Sequence, residues 1–368
     1  MDIKVGYILL ILWAVLMVYF FPVVLDKEYV KDGVLKYKNT ILSIVILFIP
    51  LVMLASNRGW VADTILYRSN YLYIIPEKIA DIPAYMATRS KDQAFYFISA
   101  LIKVFITKNP DIYFMIIAIF HAIALILLFR NYSENPEISF FLFIASTDYF
   151  SWMFNGIRQF VAVCIVILST PFILKKRYLE AIIIILIASA FHKSALIMIP
   201  ILFIVHGEAW NKRTLLFLFM AMLAIVFVGR FTGLLQGALE DTQYRNVVSD
   251  YLQGGDNGTN PIRVLVYSMP AIISFVYRKK ISEEKNTLVN VCVNMSIISM
   301  GLYLVSMVTS GIFIGRLPIY CSLYGYILLP WEINHLFEED IGKLLKIALI
   351  ALYCIFYYYQ MHIVWGRF

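Results

Sequence analysis

Charge is scarce in this chain. Of 368 residues, 15% are Asp, Glu, Lys or Arg and 61% are hydrophobic, where a soluble domain carries about 25% charged residues. That shortage excludes an ordinary water-facing surface. Cysteine is scarce as well. Cys164, Cys292, Cys321 and Cys354 lie inside apolar blocks without metal-type spacing, which fits reduced core residues and neither a disulfide framework nor a zinc site. Asp-x-Asp pairs and His-rich runs are missing from the stretches that carry the candidate residues, so the simpler expectation is chemistry without a metal or other cofactor. No small-residue cleavage site follows the first apolar block (3–25), which is read as a helix and not as a signal peptide. Internal repeats, the mark of many carriers built from paired halves, are also missing.

What the chain has instead is long apolar blocks. Crossing the hydrocarbon core takes about 20 residues at 1.5 Å each, with every backbone group satisfied inside the helix. Candidate spans lie at 3–25, 39–56, 111–129, 137–151, 157–174, 178–191, 194–206, 213–229, 261–277, 287–309, 315–331 and 343–363, about twelve in all. The expected fold class is an all-α polytopic membrane protein forming one integral membrane domain over 1–368. The block 94–107 is short and carries Lys103 in its middle, so it is expected to be a re-entrant or interfacial amphipathic helix.

Parity supports that choice. The net charge of +7 is concentrated at Lys27–Lys38, Arg130, Lys175–Arg177, Lys212–Arg213, Arg278–Lys280 and Lys343–Lys346. If 94–107 does not cross, all of these fall on one side, as the positive-inside rule demands, with both termini outside. Separated by apolar blocks, these clusters form no continuous basic surface for nucleic acid. The opposite face then holds two long polar loops, 57–93 and 230–260. It also holds Asp63, Asp148, Arg158, His192, Lys193, Arg263 and Arg316 at helix ends, where charge is costly and usually paired or functional.

Each of these residues has a plain reading and a functional one. Arg158, in FNGIRQ (154–159), is either an interfacial anchor or a planar fork for phosphate oxygens. Asn155 and Gln159, four apart on one expected helix face, would add neutral donors, and an ion pair with Asp148 is a further possibility. His192, in FHKSA (191–195), is either a packing residue or a proton acceptor for a sugar hydroxyl, with Lys193 and Ser194 beside it. Asp63 is either an N-cap or a carboxylate that takes the hydroxyl proton, a role for which Asp148 competes. Arg263 and Arg316 would be further cationic groups able to replace a metal's charge on a diphosphate. Trp60, Tyr67, Tyr71, Tyr73 and Tyr244 suit either an interfacial belt or stacking on sugar rings. The stretch GGDNGTN (254–260) reads as a connector.

The motifs RGWVADTILY (58–67), FNGIRQ, FHKSA and GRLPIY (315–320) together resemble the EpsG family of bacterial polysaccharide synthesis, regarded as Wzy-like repeat-unit polymerases. The resemblance rests on Gly59, Asp63, Thr64 and Tyr67, on Asn155, Arg158 and Gln159, on His192, Ser194 and Ala195, and on Arg316 with Tyr320. It implies a glycosyltransferase, GT-C-like in arrangement, at the outer face of the bacterial plasma (inner) membrane. A growing glycan would pass from undecaprenyl diphosphate to a lipid-linked repeat unit, with a chain-length regulator and a flippase as partners. Tyr67 and Tyr320 would contact substrate. The competing readings are a lipid-linked oligosaccharide flippase or other carrier, and a membrane O-acyltransferase using His192 as its base.

Overall fold

The computed structural model describes residues 3–24, 26–31, 34–58, 63–239 and 257–367. Gly59, Trp60, Tyr244, part of the 57–93 loop and most of the 230–260 loop therefore lie outside the described residues. Among the described residues the regular structure is helical apart from one antiparallel hairpin, β1 (Asp26–Lys31) and β2 (Val34–Asn39), paired from Asp26↔Asn39 to Lys31↔Val34. The apolar blocks do form helices. Four of these, among the described residues, are long and apolar enough to cross a membrane: Ile3–Phe21, Pro110–Tyr132, Thr287–Met307 and Glu339–Val364. Shorter apolar helices accompany them, as suits a multi-pass membrane protein.

Contacts divide the chain into two units. The first comprises Met1–Pro171, Leu179–Leu196 and Glu339–Phe368. It contains α1 (Ile3–Val24), α2 (Ile41–Ser56), α3 (Thr64–Ser69), α4 (Ile82–Ala87), α5 (Gln93–Phe105), α6 (Pro110–Tyr132), α7 (Pro136–Ala145) and α8 (Ile157–Ile167). The division falls within α9 (Thr170–Leu174); α10 (Tyr178–Phe191) also belongs largely to the first unit. Starts are set by local chemistry. Thr40 Oγ1 accepts from Ser43 N at 3.1 Å ahead of α2, and Asn109 Oδ1 accepts from Asp111 N at 2.8 Å ahead of α6, which opens on Pro110. On α1 the residues Tyr7, Leu10, Ala14, Met17 and Phe21 are buried while Ile8, Leu9, Leu12 and Leu16 are exposed. Both faces are apolar, so packing and not polarity decides which one turns inward.

Two expected spans behave differently. Helix α7 covers only Pro136–Ala145 and is buried on every side, because Thr147 turns left-handed (φ 66) and the chain re-forms as a π turn over Phe150–Asn155. The helix 94–107 exists as α5, with Lys103 buried beside the core residues Phe95, Ala100 and Ile102. Phe97, Ile98, Phe105 and Ile106 are exposed, whereas Lys103 is 2% exposed and points inward. Its Nζ donates to Leu72 O at 3.0 Å and Ile75 O at 2.8 Å, with Glu77 at 3.8 Å. The lysine thus satisfies carbonyls at the end of the helical run that starts at α3.

The second unit comprises Phe172–Tyr178 and Ile197–Glu338. It holds α11 (Met198–Val205), α12 (Lys212–Val226), α13 (Val228–Leu239), α14 (Pro261–Val276), α15 (Arg278–Glu284), α16 (Thr287–Met307) and α17 (Ile319–Leu336); α18 (Glu339–Tyr358) returns to the first. Helix α16 is its centre, packed by α11, α12, α14 and α17. Its small residues permit close approach; a Cβ on Gly301 would stand 2.5 Å from the Phe217 ring of α12. Asn294 holds the α11–α12 turn: its Nδ2 donates to Val205 O and Glu208 O, and its Oδ1 accepts from Trp210 N. The expected span 213–229 breaks at Phe227, and α12 and α13 meet at 101°.

Gly258 is where this unit tolerates no side chain. Its φ is +74, and a Cβ there would sit 2.5 Å from Met307 O, a backbone atom at the end of α16. Gly258→Ala is expected to destabilise the protein by at least about 1–3 kcal/mol, the usual overpacking cost, with left-handed strain added. A thermal unfolding midpoint in detergent equal to the parent's would contradict this.

Candidate functional site

Arg158 stands in the first turn of α8, and the break before it sets its direction. Gly156 (φ −118, ψ 41) separates the π turn ending at Asn155 from α8, so Asn155 and Gln159 do not share one helix face as expected. A helix N-terminus leaves backbone N–H groups without intrahelical acceptors, and Gly156 brings no capping side chain. The guanidinium leaves this turn toward residues from two earlier elements. Its Nη1 donates to Asp92 Oδ2 at 2.6 Å and to Tyr96 Oη at 3.3 Å, and its Nε donates to Tyr67 Oη at 3.1 Å. Arg158 pairs with Asp92, not with Asp148. Asp148 is buried at the turn after α7, where its charge bears on Tyr353 of α18.

Aromatic rings wall this cation. Tyr67 and Tyr96 lie with ring centroids 5.9 and 5.7 Å from the Arg158 guanidinium carbon. Tyr67 meets Phe95 edge-on at 6.1 Å, and Arg89 lies 4.7 Å over Tyr85 and 5.0 Å over Tyr96. Burial raises the Tyr67 phenol above its ordinary range, against the lowering pull of Arg158. Asp63, one turn before Tyr67, adds to that rise. It occupies the N-cap position of α3 but makes no side-chain cap bond, so the capping reading is not realised.

Asp92 was not singled out from the sequence, although an aspartate directly before an amphipathic helix is an N-cap signal. It precedes α5 in a left-handed conformation (φ 51, ψ 38) and makes no cap bond. Its side chain is 2% exposed, against 33% for Arg158, and Oδ1 has no hydrogen-bond partner among the described residues. Burial pushes its carboxyl above the usual carboxylate range, while Arg158, Lys91 and Lys193 pull the other way. Arg58 was also passed over. It is buried, donates through Nη1 to Met153 O, and lies 4.2 Å over Phe114 and 5.1 Å over Phe154.

A second polar group adjoins α8. Gln159 Nε2 donates to Ser194 Oγ at 3.2 Å, and Ser194 Oγ lies 2.7 Å from His192 Nδ1. The Ser194 backbone N–H also points at Nδ1, at 3.4 Å. With Nδ1 accepting, the ring proton sits on Nε2. Lys193 acts on Asp92 electrostatically, which ties the two groups together. Tyr67, Asp92, Tyr96, Arg158, Gln159, His192, Lys193 and Ser194 all belong to the first unit.

A family model for the EpsG family matches residues 41–365. The chain belongs to the EpsG family. No curated protein and no solved structure matches it. Membership makes it a polysaccharide polymerase-like membrane protein, from a family associated with glycosyl transfer.

Arg316 and Tyr320 of the EpsG pattern, and the candidate cation Arg263, lie in the second unit. Arg263 opens α14 after its Asn260 cap and donates through Nε to Tyr267 Oη at 3.3 Å. Thr259 meets Gly315, where a Cβ would stand 2.5 Å from Thr259 Oγ1, so the loop leading to Arg263 packs on the turn carrying Arg316. Tyr320, in the first turn of α17, is buried at 2% exposure. Among the described residues no three His, Cys, Asp or Glu side chains gather as a metal site.

Proposed function

We propose that this EpsG family member is a repeat-unit polymerase. It transfers a growing glycan from undecaprenyl diphosphate to a lipid-linked oligosaccharide repeat unit at the outer face of the bacterial plasma membrane. About twelve crossings in a GT-C-like arrangement, both termini outside, would carry the site. The acceptor hydroxyl attacks the anomeric carbon, and polyprenyl diphosphate departs with the bonding electrons. Arg158 takes the charge that develops on the diphosphate, with His192 and Lys193 binding beside it and Tyr67 contacting sugar. The second unit offers Arg263 and Arg316 as cationic groups and Tyr320 as a sugar contact. A chain-length regulator and a flippase complete the pathway.

The observation that supports this reading is the setting of Arg158: a guanidinium a third exposed, at a helix N-terminus, walled by two tyrosines whose hydroxyls accept from it. Planar donors flanked by aromatic faces suit a phosphate joined to a sugar. Deleting the gene in its host is expected to leave surface glycans of one repeat unit, seen as collapse of the length ladder on a gel. Stranding of the lipid-linked unit on the cytoplasmic leaflet would indicate a flippase instead. Long chains lacking acyl groups would indicate an acyltransferase.

A further inference from the structure

The Asp92–Arg158 pair is unbalanced in a way that a purely structural ion pair is not. One carboxylate oxygen is bonded and the other, Oδ1, is buried without a partner among the described residues. The residue that holds it sits in a left-handed conformation uncommon outside glycine. Its partner reaches solvent while Asp92 does not, so a ligand meets the guanidinium first. A buried pair kept for stability alone would be expected to satisfy both oxygens.

Resting on the polymerase reading above, we propose that Asp92 is the general base of the transfer, restrained by Arg158 until diphosphate oxygens claim the guanidinium. The diphosphate then replaces Asp92 as the acceptor of Nη1–H. Freed from its nearest counter-charge, the carboxylate becomes a stronger base. It accepts the proton of the acceptor hydroxyl as that oxygen bonds to the anomeric carbon. The bond from this carbon to the diphosphate oxygen breaks, and its electron pair leaves on the diphosphate. Lys91 and Lys193 favour the ionised carboxylate, against the burial that raises it, and the Tyr67 and Tyr96 hydroxyls remain beside Arg158.

The test uses the full chain in bilayer nanodiscs with the host's lipid-linked repeat units, and undecaprenyl diphosphate as the binding probe. Asp92→Asn keeps the shape and an acceptor for Arg158 but cannot take a proton. It is expected to slow polymerisation by about 100-fold or more, the usual worth of a positioned base. It should bind undecaprenyl diphosphate at least as tightly as the parent and lose the acid limb of the rate–pH profile. Turnover within threefold of the parent would overturn the assignment. So would loss of probe binding together with activity, which would make Asp92 only a brace for Arg158. Should Asp92→Asn fail to fold, Asp92→Glu decides: a displaced acid limb supports the base, and an unchanged profile rejects it. If the parent itself neither binds the probe nor extends glycans, the polymerase reading falls and this assignment with it.

Discussion

Arg158→Lys should shorten the surface glycan to one or a few repeat units, with turnover down about 100-fold, the range found when one charge-stabilising donor is removed. The substitution retains the positive charge, so Asp92 keeps a counter-ion and the fold survives. What disappears is geometry. Arginine serves Asp92, Tyr67 and Tyr96 from two nitrogens and still presents further N–H groups. A lysine ammonium is a point donor that cannot span two phosphate oxygens in one plane. A 100-fold loss corresponds to about 2.7 kcal/mol of transition-state stabilisation, a reasonable share for one bidentate contact. Arg158→Ala should behave differently, because it also strands a buried carboxylate. Breaking one side of a buried pair costs about 3–5 kcal/mol, and the one-third exposure of Arg158 places this case at the lower end. The readout is the glycan ladder in a complemented deletion strain, normalised to protein in the membrane. A normal ladder for Arg158→Lys would refute the phosphate-fork role.

Lys103→Met should destabilise the protein by about 2–4 kcal/mol, since hydrogen bonds to a charged group contribute about 1.5–3 kcal/mol each and relief from burying the ammonium offsets part of the loss. By hydropathy the change looks favourable, because it removes the one charge from an apolar block. In the fold it removes the donor shared by Leu72 O and Ile75 O and leaves two carbonyls facing a thioether. Those carbonyls end the helical run that carries Tyr67, so turnover should fall with stability. A lower unfolding midpoint in detergent is the check. A raised midpoint would mean that burying the lysine costs more than its two bonds return.

The sequence placed the helices well because apolar runs bounded by polar residues are a local signal. The block 178–191 is α10 to the residue, and 287–309 differs from α16 only at its C-terminal end. It did not place the breaks. Gly156, Thr147 and Phe227 lie within or beside apolar runs, and what bends the chain there is tertiary packing and backbone conformation, which hydropathy does not weigh. The outward face of α5 was missed for a related reason. Amphipathicity tells which residues share a face, but not that Lys103 is held inward by the carbonyls of Leu72 and Ile75. Arg158 was legible as a cation at a helix start. Its partners were not, since Asp92 lies 66 residues away and Tyr67 lies 91 residues away. A general base brought in by the fold leaves no spacing to read.

The right-angle corner at Phe227 has a bearing on how the second unit is laid out. Twelve residues of α13 extend about 18 Å at 1.5 Å each, and that reach runs crosswise to α12 and does not prolong it. The chain therefore leaves α12 sideways, and the two helices together span less depth than their summed length.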